Sequence, residues 1–516
     1  MRWVCIAALL AGIQASSAEV AKNACASCHP KESARWAASA MGQSMVSPAP
    51  LPSARVVHEL SQSMLRSEQH NGQMVHTLSE QGLTAEYPVR YQIGGDFMGR
   101  TYLVQVGDYL FESPLTYFNR YGWDLSPGYS SMAVIDFDRQ MDDTCLFCHA
   151  DSAQFVDDDR RRLKNMQLAP LSCDRCHGSG QRHVQHPSAQ NIVNPAKLPH
   201  PERDSICEQC HLEGATRILN PGKQWDDFHP GEKTEATFST YVLTGGNNTN
   251  VNAVNHVEQL AQSKCVRATA GKLWCGSCHN PHGETFNRAA EIKAVCTGCH
   301  KALSPATHPA SVTECATCHM PSGSTTDIPH AARTDHRILR RPTEAAANEP
   351  ANVTVWRDPP REWRDRNLGL AEVFAGVTNR LPHLAEDGWH LLNAIPEEKR
   401  DVSVLSDFEG LALQNQNWEE AVRIGRRTVE LRPRSAKAAM NLGIVFKRSR
   451  TTSEAERELK RAIGLDPSLK QAYLELATLY VESGRTEDAK ATIGGYLKFN
   501  PQDIMFRWQR QRLEPH

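Results

Sequence analysis

The sequence predicts a multi-domain chain: a loop-rich body with a small β-rich insertion, followed by an all-α repeat solenoid. Three observations predict it. Seven copies of Cys-x-x-Cys-His are spread over residues 25–319. Strand-like alternation broken by a two-residue turn lies between the first and second copies. Beyond residue 400, alanine and proline recur at an interval of 34 residues.

The 516 residues and 57.4 kDa leave ample length for several cores. A formal net charge of −2 offers no field for nucleic acid or an anionic membrane. A mean hydropathy of −0.50 leaves no room for several membrane spans. Aromatic residues make up only 7%, few for a conventional core, whereas the chain has 16 cysteines and 22 histidines.

The N-terminus sets the compartment. Arg2 is followed by an apolar run from Trp3 to Ile13, then by the small residues Ser16, Ser17 and Ala18. The run falls short of the roughly 20 apolar residues of a membrane span. Residues 1–18 therefore read as a Sec-type signal peptide cleaved after Ala18, taking Cys5 with it. The mature protein is expected to be periplasmic or extracellular, with no transmembrane segment.

The seven motifs are Cys25-Cys28-His29, Cys145-Cys148-His149, Cys173-Cys176-His177 and Cys207-Cys210-His211, then Cys275-Cys278-His279, Cys296-Cys299-His300 and Cys315-Cys318-His319. Disulfide frameworks and zinc knuckles use cysteine pairs but need no histidine at the next position. Covalent haem does: two thiols add to the vinyl groups, and the adjacent imidazole binds the iron from below. The spacing predicts seven covalently bound haem c groups. Residues 19–340 then form a heptahaem cytochrome c domain whose apolar core is largely the porphyrins.

A low-spin haem takes a second axial ligand, usually His or Met. Fifteen histidines lie outside the motifs. His183 follows His177 across a glycine-rich turn. His282 lies three residues after His279, too close to reach over its own haem, so an adjacent haem is its target. His256 precedes the fifth motif, and His330 and His336 follow the last. His58 and His308 complete the seven candidate distal ligands, and Met41 and Met45 are alternatives for the first haem.

Residues 55–140 carry no motif and read as the β-rich insertion. Tyr102–Val106, Gly107-Asp108 and Tyr109–Phe111 form a hairpin signal. Residues 157–162, three Asp then three Arg, read as a solvated loop. Proline-rich residues 341–362 read as a linker. Cys265, the only mature cysteine outside a motif, reads as a small buried hydrophobe.

Residues 363–510 read as a helical repeat domain. Pro433, Pro467 and Pro501 are spaced by 34, as are Ala421, Ala455 and Ala489, and Phe408, Leu442 and Leu476. This is the tetratricopeptide (TPR) pattern: alanine where two helices cross closely, proline where the second helix stops. Residues 363–399 read as a degenerate leading pair.

Cys173-Asp-Arg-Cys-His-Gly-Ser-Gly with His183, the doubled motif from Cys275 to His282, and Thr334-Asp-His-Arg-Ile resemble exported multihaem cytochromes. That group is related to the tetrahaem cytochrome that accepts electrons from hydroxylamine oxidoreductase. The resemblance implies periplasmic or outer-surface electron transfer, mostly by bis-His haems. Seven motifs and a β-rich insertion depart from it, so partner and direction of flow do not carry over.

Electron transfer between redox partner proteins, docked through the TPR repeats, is the leading reading. The alternative is a haem-based oxidoreductase that reduces a small nitrogen or sulfur oxyanion at one iron with an open position. No motif replaces its histidine with lysine, which favours electron transfer and assigns no catalytic residue. The count has a direct test: the intact mass, with an N-terminus near Glu19, should exceed the polypeptide by seven haem units. A surplus of four or five would contradict the reading.

Overall fold

Seven strands run antiparallel in sequence order: β1 (Ala54–His58), β2 (Ser63–His70), β3 (Gln73–Glu80), β4 (Leu83–Gly95), β5 (Gly99–Val106), β6 (Tyr109–Phe118) and β7 (Gly122–Leu125). The computed structural model describes residues 24–513 except 96–98, 152, 246–253, 284–287, 302–307, 309–313, 326 and 341–350. The expected signal peptide lies outside the described residues. Turn chemistry sets the registers. Asn71-Gly72 and Gln81-Gly82 both have positive φ at each central residue, the twist that suits two-residue hairpins. In the expected hairpin, Val106 pairs with Tyr109 across Gly107-Asp108.

The sheet is buried on both faces. Alternate residues point opposite ways. Val104, Tyr109 and Phe111 join Leu65, Tyr87, Ile135 and Phe137 on one side, while Leu103 and Leu110 meet Met45, Tyr91 and Leu146 on the other. Leu146 lies inside the second Cys-x-x-Cys-His motif, so the insertion backs directly onto it.

Two smaller sheets follow. One joins β8 (Thr216–Leu219), β9 (Phe238–Thr244) and β12 (Asn352–Val355) in the order β12-β9-β8; the other pairs β10 (Ser322–Ser324) with β11 (Ala332–Thr334). β12 corrects the linker expected over 341–362. The run Asn-Val-Thr-Val is a strand former, and it pairs with β9 from Asn352↔Thr244 to Val355↔Tyr241.

The C-terminal part is helical: α1 (Arg364–Thr378), α2 (Pro382–Asn393), α3 (Val402–Gln414), α4 (Trp418–Leu431), α5 (Ala436–Arg448), α6 (Thr452–Leu465), α7 (Lys470–Glu482), α8 (Thr486–Phe499) and α9 (Ile504–Leu513). The 34-residue period sets α3/α4, α5/α6 and α7/α8 as successive pairs. Ala421, Ala455 and Ala489 are each fully buried, as close helix crossings require. Asp401 accepts from Ser403 and Val404 N–H to cap α3, and Ser435 accepts from Ala438 N–H to cap α5. In the leading pair, a Cβ on Gly388 would meet the Gly369 carbonyl at 2.7 Å, so glycine permits that contact.

The solenoid is fastened along its helix junctions to the N-terminal body. Residues 157–162 are therefore a clasp and not a solvated loop. Arg161 Nη1 lies 3.0 Å from Asp466 Oδ2, with side-chain exposures of 11% and 2%. Asp159 accepts from the Ser435 hydroxyl and from Lys437 N–H, at the N-terminus of α5. Lys470 Nζ is held by Asp136 (2.7 Å), Asp138 (2.9 Å) and Asp503 (3.0 Å). Arg366 on α1 grips Asp401 with two nitrogens and donates to the Leu219 carbonyl on β8. A run of charges along the sequence looks like a wet loop; here Asp159 and Arg161 each meet a partner on the solenoid.

A buried pair that loses one member leaves an uncompensated charge, at a cost of about 3–5 kcal/mol. Arg161→Met should therefore lower the stability of the solenoid by about 3 kcal/mol, read from its urea midpoint by far-UV circular dichroism. A loss of about 0–1 kcal/mol, the value for a surface pair, would contradict the clasp.

Candidate haem-binding site

Each motif sits on helical backbone, the fourth and sixth at the ends of the 12-residue helices His200–His211 and Arg288–Cys299 and the others on short turns. The histidine N–H donates to the first cysteine's carbonyl in Cys25–His29 (2.8 Å), Cys173–His177 (3.0 Å), Cys275–His279 (2.9 Å) and Cys296–His300 (2.9 Å). Residues i and i+3 share a helix face, so both thiols of a motif project the same way. Asp142 starts the second motif by accepting from Thr144 and Cys145 N–H.

All fourteen motif cysteines and all seven motif histidines line one continuous cavity of about 4140 Å³, several times an ordinary ligand pocket. Among the distal candidates, His183, His256, His282, His308 and His336 line it too. Each faces a motif histidine. Ring centroids are 6.5 Å apart for His29–His183, 5.9 Å for His177–His282, 6.2 Å for His279–His336 and 6.2 Å for His319–His308, with planes within 24°. His211 and His256 are 5.5 Å apart and nearly perpendicular. Two imidazoles bound to one iron at about 2 Å each have centroids about 6 Å apart. The donor set thus fits the group.

Second contacts aim the rings. The Nδ1 atoms of His177, His183, His319 and His336 face the carbonyls of Val193 (2.8 Å), Ser188 (3.0 Å), Leu339 (2.7 Å) and Thr334 (2.8 Å). A carbonyl only accepts, so Nδ1 carries the proton and Nε2 keeps its lone pair for a metal. Burial pushes His211 and His336 down to about 4 and His256 to about 2, which keeps them neutral, the form that ligates.

Thiol contacts show which motifs adjoin. Cys25 lies close to Cys173, Cys148 to Cys210, Cys207 to Cys275, and Cys296 to Cys315. Motif one therefore lies beside three, two beside four, four beside five, and six beside seven. Cys265 lines the cavity and is half-buried.

Two distal candidates are corrected. His330 lies on the β-insertion, outside the cavity lining. Its Nε2 is 2.6 Å from Asp124 Oδ2, and its ring stacks on Tyr121 at 3.5 Å and 9°. His58 is 1% exposed within β1, with Nδ1 2.6 Å from the Ser61 hydroxyl. Strand pairing and an ion pair claim these two histidines. Sequence reading also missed Gln259, which is buried and accepts from His336 N–H, and Phe374, which brings α1 into the cavity wall. The carbonyl partners carry no residue signature at all.

The arrangement predicts that alanine at His183, His256, His282, His308 or His336 turns one low-spin haem high-spin, seen by electron paramagnetic resonance. Alanine at His58 or His330 should leave the spin states unchanged. The opposite pattern would reverse the assignment.

Comparison with known proteins agrees with both halves. The doubled CXXCH motif model matches residues 267–305 and the tetratricopeptide repeat model residues 448–507. Among solved structures, the Arabidopsis OM64 TPR domain is 23% identical, covering 22% of this chain and 95% of its own, with a TM-score of 0.21. The crystal structure of MamA is 19% identical, covering 27% and 81%, with a TM-score of 0.24. No curated protein matches the chain. Among the described residues no helix is long and apolar enough to cross a membrane. The chain therefore carries the paired CXXCH feature of multihaem c-type cytochromes, which indicates covalent haem c, and ends in tetratricopeptide repeats.

Proposed function

We propose that the chain is a seven-haem c-type cytochrome that transfers electrons between protein partners in the periplasm or at the cell surface. One observation carries the reading: a single cavity brings together all seven motifs and five facing histidine pairs. Each haem c, when bound, supplies a one-electron Fe(III)/Fe(II) couple. The protein's own part is geometric. Paired imidazoles would hold five of the sites six-coordinate, Nδ1–H bonds to fixed carbonyls restrain four of the rings, and adjoining cysteines set neighbouring sites close together. The resemblance to cytochromes related to the hydroxylamine oxidoreductase partner supports the same direction.

The solenoid supports a docking role. Its junctions at 432–437, 466–470 and 500–503 already hold the N-terminal body, so a partner would meet the remaining surface. Titration of the holoprotein with a one-electron reductant tests the proposal. It should accept seven electrons per chain, and carbon monoxide should leave the spectra of the five paired haems unchanged. Uptake of four or five electrons would overturn it.

A second reading has a specific observation behind it. Among the described residues, no histidine ring faces His300 or His149, and burial lowers the pKa of the half-buried His149. An iron held there would present an open side to a small nitrogen or sulfur oxyanion. Carbon monoxide binding at one ferrous haem, together with turnover of nitrite or hydroxylamine, would favour this reading.

A further inference from the structure

Four imidazoles lie in one row across the fourth and fifth motifs. His211 faces His256 at 5.5 Å, His256 meets His336 edge to face at 4.9 Å and 79°, and His336 faces His279 at 6.2 Å. Among the described residues, no other two distal candidates make a ring contact with each other. The same two motifs also bring Cys207 and Cys275 close together.

We propose that His256 and His336 join the fourth and fifth iron sites through their ligands, and that Gln259 is the positioning residue that holds the contact. The inference rests on reading both histidines as distal ligands. Gln259 lies one helical turn after His256 on the helix His256–Gln262, so both residues occupy one face. Its Oε1 accepts from His336 N–H at 2.9 Å, and its Nε2 donates to Asn255 Oδ1 at 3.0 Å. The helix that presents His256 thus also grips the backbone of His336. Two further bonds remove the remaining freedom. Glu258 accepts from Gly214 N–H at 2.7 Å, which ties the helix to the chain just after His211. His336 Nδ1–H donates to the Thr334 carbonyl, which fixes the ring.

A buried side-chain amide that bridges two segments is costly unless both ends are satisfied. Here one end is spent on His336, which carries one of the touching rings, and the other on Asn255, the residue just before His256. The consequence is that the oxidation state at one site bears on the other, so the two sites titrate as a pair, as interacting protonation sites do.

Electron paramagnetic resonance during a redox titration of the full holoprotein reads this directly. Two ferric low-spin haems should show mutual magnetic broadening that disappears when either is reduced. Gln259→Leu should keep seven haems and the low-spin count but lose the broadening and draw the two potentials together. Gln259→Glu retains an acceptor for His336 N–H and should restore both. Independent haems in the wild type, or broadening that survives in Gln259→Leu, would overturn the proposal. The wild-type measurement decides even if the leucine variant fails to mature. The ligand reading fails separately: His256→Ala and His336→Ala would then produce no high-spin haem.

Discussion

Pairs of imidazole rings held about 6 Å apart are the constraint on which this structure depends. One ring of each pair is tethered by its neighbouring cysteines. In three pairs the other comes from a distant stretch: His183 faces His29, His282 faces His177, and His336 faces His279. An iron bound between them would crosslink those stretches. The short helices, turns and two-stranded pieces between the motifs have little apolar surface to bury against one another, and their positions follow from where the rings must stand.

This explains why so much rigid protein surrounds so little secondary structure. The seven-stranded sheet presents one face to the second motif through Leu146 and the other to the solenoid end through Ile504. The solenoid is bolted along the same body by Arg366, Asp159, Arg161 and Lys470. The repeats are not simply appended to that body. α1 supplies Phe374 to the cavity wall, and buried charges on the N-terminal side lose their partners if the helices are removed.

What was legible in the sequence were features fixed by local chemistry. Cys-x-x-Cys-His specifies its own geometry, Gly107-Asp108 its own turn, and the fully buried alanines 421, 455 and 489 their own crossings. His183, His256, His282, His308 and His336 were identifiable as candidates, but nothing local tells which motif each one faces. His58 and His330 were indistinguishable from them. What separates the groups is tertiary: Asp124 lies 206 residues from His330, and Ser61 captures His58 within its own hairpin. The Asp-Arg run at 157–162 misled for the same reason, since its partners lie some 275 to 305 residues away. β12 was hidden by flanking prolines that suggest a linker.

The central claim is that facing histidines bracket iron. Diffraction from crystals of the holoprotein at the iron absorption edge tests it most directly, because it locates each iron independently of the protein trace. The account predicts seven iron peaks. Five of them should lie midway between the rings of His29 and His183, His177 and His282, His211 and His256, His279 and His336, and His319 and His308. Fewer than seven peaks, or irons displaced from between those rings, would contradict it.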